Sequence, residues 1–198
     1  MTKIVVDPKS VKAYGAAAQA DFDKIRTELV QLVNDVTQVD YHGTNAHRFK
    51  TECGQMAAEF SAKLLKDAGA IADAVRTATS NIATSLGGAP IQIKVDGRAI
   101  PLPAVAKSDV EIADTSALTQ LIPVVRRRFT AIDAALNSHL RSLSGTNWQG
   151  DAKTGAVKAV GSFTKKVVAT GNEAETSITK FISDQVQAAQ AADKSLQS

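Results

Sequence analysis

A chain that repeats itself at a long, fixed offset must fold so that two equivalent pieces are both accommodated. Displaced by 107 residues, this sequence brings Phe22 onto Phe129, Ile25 onto Ile132, Leu29 onto Leu136, Val33 onto Leu140 and Val36 onto Leu143. Asp7 falls on Asp114, each placed to cap a helix. Tyr41 falls on Trp148 and Gly43 on Gly150, while Cys53, Phe60, Ile71 and Val75 meet Val160, Val167, Ile178 and Ile182. Chance aligns one or two apolar residues at a given offset, but not a seam, a cap and a turn together. The chain therefore reads as two copies of one unit, 1–86 and 114–198, joined by a linker at 87–113.

Each copy reads as a helical hairpin. In the first, Asp7 caps and Pro8 takes the first helical position, where a missing N–H costs nothing. Val11, Gly15, Ala18, Phe22, Ile25, Leu29, Leu32 and Val36 then follow in alternating threes and fours, a heptad seam. The pattern stops near Asp40 and "YHGTN" is a turn. A longer second helix is expected from about Asn45 to Leu86, ended by Gly87 and Gly88, with its stripe on Ala46, Phe49, Cys53, Met56, Phe60, Leu64, Ala68, Ile71, Val75, Ala78 and Ile82. In the second copy the corresponding helix starts at Asp151, after Gly150.

In the linker, "IQIKV" and "RAIPL" flank Asp96-Gly97, which predicts a small β-hairpin, and three prolines keep the segment out of a helix. Its length bears on topology. A helix of ~30 residues spans about 45 Å at ~1.5 Å per residue. The linker residues outside the hairpin can reach roughly 50 Å. That is enough to return along a helix, so the expected fold is all-α: an antiparallel four-helix bundle of two helix-turn-helix hairpins.

Composition fits helices, with hydrophobic residues at 44%, aromatics at 5% and alanine abundant. The net charge of +3 is too small and too scattered for a dedicated nucleic-acid binder. "MTKIVVDPK" has three consecutive apolar residues before a charge, well short of a signal-peptide core. No apolar run approaches the ~20 residues that span a bilayer. The expectation is a soluble chain that, if exported, leaves without a cleaved leader.

A helix, a Trp-x-Gly turn and a second helix in one copy resemble the WXG family of small type VII (ESX) secretion proteins. The second copy carries the motif as Trp148-Gln149-Gly150, and the first carries Tyr41-His42-Gly43, an aromatic and a glycine at the same spacing. The resemblance covers nearly the whole chain outside the linker. It implies a covalently fused pseudo-dimer, monomeric in its own right, that partners the type VII machinery or a co-secreted effector, as a secreted substrate or as an adaptor acting before export in the cytoplasm. It also implies recognition at Trp148, Gly150, Tyr41 and Gly43, with the two turns at opposite ends of the bundle. One departure matters. The family's tail signal, Tyr-x-x-x-Asp/Glu, is missing after either tyrosine, and Phe181 and Asp184 in "FISD" have the wrong spacing.

For Trp148 two readings stand: a ring clamped between the helices it joins, or part of a surface read by the secretion machinery. His42, His47 and Cys53 do not share a helical face, so no metal is expected and Cys53 reads as a buried thiol. His139 lies on the third helix's seam as a core-edge or pH-sensitive histidine. Arg126-Arg127-Arg128 read as a solvated face or as salt-bridge partners. The sequence holds no phosphate-binding glycine loop, nucleophile elbow or His-x-x-x-His. A non-enzyme without cofactors is expected. The alternative is a membrane-active protein whose amphipathic hairpins open on lipid.

Overall fold

The computed structural model describes residues 5–85, 90–107 and 115–196. Its elements run β1 (Val5–Val6), α1 (Pro8–Thr37), α2 (Thr44–Ser85), α3 (Ser116–Ser144), β2 (Trp148–Gln149) and α4 (Asp151–Leu196). Among the described residues the regular structure is helical apart from β1 and β2, a two-residue antiparallel pairing.

The repeat is visible in the helix boundaries. α1 and α3 end at Thr37 and Ser144, and α2 and α4 begin at Thr44 and Asp151. Both offsets are 107. The final hydroxyls even repeat one bond: Thr37 Oγ1 donates to the Val33 carbonyl at 2.7 Å, and Ser144 Oγ to the Leu140 carbonyl at 2.8 Å. Asp7 caps α1 as expected, its Oδ1 accepting from the Lys9 amide at 2.9 Å. Asp114, Gly87 and Gly88 lie outside the described residues.

Contacts gather the chain into two compact units, each drawing on all four helices and part of the linker. The first comprises Met1–Thr27, Lys63–Arg98 and Ile132–Ala169. Its interior includes Val11, Ala18, Phe22 and Ile25 of α1, Leu64, Leu65, Ala68 and Val75 of α2, Ile132, Leu136 and Leu143 of α3, and Val160 and Phe163 of α4. Burying each large aliphatic or aromatic side chain contributes roughly 1.5–3 kcal/mol. Within this interior His139, 1% exposed, shares a 2.8 Å hydrogen bond between its Nε2 and the Tyr14 hydroxyl, and Phe22 leans on its ring at 4.7 Å.

The expected linker β-hairpin is not formed, because residues 90–107 contain no strand. Period-two burial is nonetheless present: Ile91 and Ile93 are buried while Gln92 and Lys94 are exposed. The partner is α1 instead of a second strand. Gln19 mimics a strand edge, its Nε2 donating to the Lys94 carbonyl at 2.9 Å and its Oε1 accepting from the Lys94 amide at 2.8 Å. Arg26 donates to the carbonyls of Asp96 and Arg98 at 2.7 and 2.9 Å. Gly15 lets Ile91 come close, since a Cβ there would lie 3.2 Å from Ile91 Cβ. These side chains supply the main-chain bonds that a hairpin would have made.

The second unit comprises Glu28–Ala62, Ala99–Ala131 and Thr170–Ser198. Leu29, Leu32, Val33, Val36, Phe49, Cys53, Phe60, Leu118, Val125, Phe129, Ile178 and Ile182 are buried in it. Gly171 lies against the Phe60 and Phe129 rings, whose centroids are 5.1 Å apart. Two of the three consecutive arginines make ion pairs here. Arg126 reaches Glu175 at 3.8 Å, and Arg128 holds Glu28 at 3.1 Å and Asp35 at 2.8 Å. Arg128 and both its carboxylates are largely shielded from water, so Arg128→Met should strand two acids beside each other. A loss of about 2 kcal/mol is expected in urea denaturation, between the values for exposed and buried pairs. An unchanged midpoint would show the trio to be ornamental.

Candidate functional site

Both aromatic turns have the same local construction. Gly43 and Gly150 are the positive-φ residues among those described, at 110° and 125°. Each stands immediately before the first residue of a long helix, and its carbonyl accepts that helix's early amides: His47 at 3.2 Å for Gly43, Lys153 at 3.1 Å and Thr154 at 3.2 Å for Gly150. An L side chain is strained at such φ values. Alanine at either glycine should therefore cost about 1–2 kcal/mol in urea denaturation, with similar losses at the two twins. Loss at neither would mean that the turns tolerate another backbone path.

In the second unit Tyr41 is 6% exposed. Its hydroxyl accepts a hydrogen bond from Gln185 Nε2 at 2.7 Å, and its ring meets Phe49 edge-on at 5.9 Å. Phe49 in turn stacks on Phe181 with centroids 5.4 Å apart. Phe181 thus belongs to this aromatic cluster, and Asp184 is ion-paired with Lys180 at 2.6 Å. A cavity of about 430 Å³ beside the turn is lined by Tyr41, His42, His47, Lys50 and linker residues Ala104 to Ala106. His42 bonds Asp40 at 2.8 Å, and burial pushes the Cys53 thiol up to about 12. Among the described residues no group of three or more His, Cys, Asp or Glu could hold a metal ion.

In the first unit Trp148 is 1% exposed. β1 lies along it: Val6 pairs with Trp148 and Val5 with Gln149. The pairing continues as the Asp7 amide donates to the Asn147 carbonyl at 2.9 Å and the Asn147 amide to Ser10 Oγ at 2.7 Å. Lys153 Nζ closes the turn on the Thr146 carbonyl at 2.7 Å. Unlike the Tyr41 hydroxyl, the indole Nε1 is buried without a hydrogen-bond partner. The twin of Gln185 by the repeat is Ala78, which has no polar group to offer.

The four residues singled out from the sequence therefore fall in two places, Trp148 with Gly150 in the first unit and Tyr41 with Gly43 in the second. Both rings are buried. Sequence reasoning missed β1, whose signal was the short apolar run "IVV" ahead of the Asp7 cap. It also missed the pairing of Tyr14 with His139, which are 125 positions apart. No helix among the described residues is long and apolar enough to cross a membrane. A scan against protein-family models and searches of curated proteins and of solved structures find no match.

Proposed function

We propose that this chain is a tandem fusion of two WXG-type hairpins in an antiparallel four-helix bundle, and that it acts without catalysis as a type VII secretion substrate or as an adaptor presenting an effector to that system. The observation that carries the reading is the pair of left-handed glycines, Gly43 and Gly150, 107 residues apart. Each follows a buried aromatic by two residues and opens the longer helix of its copy. The membership of the compact units also supports antiparallel packing. One unit collects the N-terminal parts of α1 and α4 with the C-terminal parts of α2 and α3, and the other collects the complements.

The recognised end would be the Trp148 turn, while the Tyr41 turn, bonded through Gln185, closes the fold. The test is export of the chain in a host with a type VII system, with and without that system's ATPase. Dependence of the chain, or of a co-expressed effector, on both the ATPase and this chain is expected. Export of neither, in a host shown to secrete its own substrates, would overturn the proposal.

A further inference from the structure

If the Trp148 turn is read by a partner, the ring must first be reached, and it is 1% exposed. What lies along its backbone is β1, a two-residue strand held among the described residues by its pairing with β2 and by the Asp7–Asn147 and Asn147–Ser10 contacts beyond it. A two-residue ladder is marginal by itself and belongs to the part of a fold that opens at low cost. The indole donor of Trp148 has no acceptor among the described residues, whereas the Tyr41 hydroxyl of the twin turn is tied to Gln185 at 2.7 Å. A buried donor left unpaired favours any rearrangement that supplies an acceptor.

We propose that the Trp148–Gln149 strand is a strand-acceptor site, occupied in the free chain by its own Val5–Val6, and that a partner engages it by replacing β1 with an extended segment of its own. The occupant's chemistry follows from the occupant in place: an extended, uncharged dipeptide with a branched aliphatic residue at the position of Val6. Main-chain bonds would give the affinity, and an acceptor for Trp148 Nε1 would give the preference over β1. This inference rests on the reading of the Trp148 turn as the recognised end, and it names the kind of segment that end accepts.

The test uses the single tryptophan as its reporter. In a chain lacking residues 1–6, acrylamide quenching of Trp148 should rise, and a peptide of sequence MTKIVVDPK added in trans should restore the protection. The intact chain should bind that peptide about tenfold more weakly, because β1 competes. A second variant does not depend on the truncated chain folding. Val5→Cys with Gln149→Cys places thiols at directly opposed positions, where a disulfide can bridge the strands. Oxidation of this staple should slow exchange of the indole N–H by about tenfold relative to the reduced form. Equal exchange in both forms, or a truncated and folded chain that stays protected and does not bind the peptide, would overturn the proposal. These measurements use purified protein, so their failure leaves the export reading standing, and an export failure leaves them standing.

Discussion

Trp148→Ala is expected to destabilise the protein by about 3 kcal/mol, among the largest single-residue effects in the chain. Truncating a buried tryptophan costs about 3–5 kcal/mol through lost burial and the cavity left behind. Trp148, 1% exposed and among the largest fully buried side chains, belongs in that class. One term works the other way. The indole Nε1 is buried without a partner, and an unpaired donor carries a penalty of about 1–3 kcal/mol that the alanine removes. Trp148→Phe separates the two, since it keeps most of the ring and removes the donor, and should lose under about 1 kcal/mol. Tyr41→Phe should behave in the opposite sense, because it discards a hydroxyl that Gln185 bonds. Urea denaturation of the three variants checks this ordering. If Trp148→Phe cost as much as Trp148→Ala, the unpaired donor would have no energetic meaning.

The second large effect is a loss of about 3 kcal/mol of stability on acidification, carried by His139. Burial pushes its imidazole down from 6.5 to about 4, so the folded state holds it neutral where the unfolded chain would take up a proton. The sign follows from linkage. With a depressed folded value, this contribution is fully present above pH 6.5, is lost progressively as pH falls towards 4, and is gone below that. The neighbours do not rescue the cation. Tyr14 shares its hydrogen bond with Nε2, and burial, with the Asp21 charge, raises its phenol above the usual range. Nδ1 is buried without a partner. Asp21 runs the other way, because burial raises its carboxyl despite Ser138, Lys24 and Arg141, so protonating it on acidification relieves a penalty.

The repeat supplies the control. The twins of Tyr14 and His139 are Leu121 and Leu32, both buried. Tyr14→Leu with His139→Leu should therefore fold and lose the acid-sensitive component between pH 6.5 and 4. Parallel denaturation curves for the double variant and the parent across that range would remove His139 from the account.

The helices were the most legible part of the chain. Every residue assigned to the α1 seam from Val11 to Val36 is buried, because a heptad pattern over 30 residues leaves little room for another face. The longer α2 was read less well. Met56, Ile71 and Ala78 are half-buried, while Ala57, Ala72 and Thr79 take the fully buried positions. The spacing was the wrong guide there: the stripe was stepped by three after Cys53, Ala68 and Val75, where the buried face steps by four to Ala57, Ala72 and Thr79. Thr79 fits that face by donating its hydroxyl to the Val75 carbonyl at 2.7 Å.

The linker's first half buries alternate residues, Ile91 and Ile93, as a strand would, but α1 stands where the expected hairpin partner would be. Period two reports only that one face is buried, not whether a strand or a helix covers it, and nothing local marks Gln19 and Arg26 as mimics of a strand edge. For the turns, spacing located both glycines, and the structure gives both a positive φ. Whether a turn aromatic faces solvent or core was open in the sequence. It is settled by contacts with residues far away in the chain: β1 along Trp148, and Gln185 on Tyr41.

The central claim is that two turns built alike have diverged, one to close the fold and one to be recognised. It is tested most directly by the ATPase-dependent exported fraction of Trp148→Phe beside Tyr41→Phe, with both variants first shown to be folded. The account predicts that Trp148→Phe lowers export, or export of the effector it serves, by about tenfold, as expected for an aromatic hot spot, while Tyr41→Phe leaves it near the parent level. Equal export of the two variants, or a loss confined to Tyr41→Phe, would contradict it.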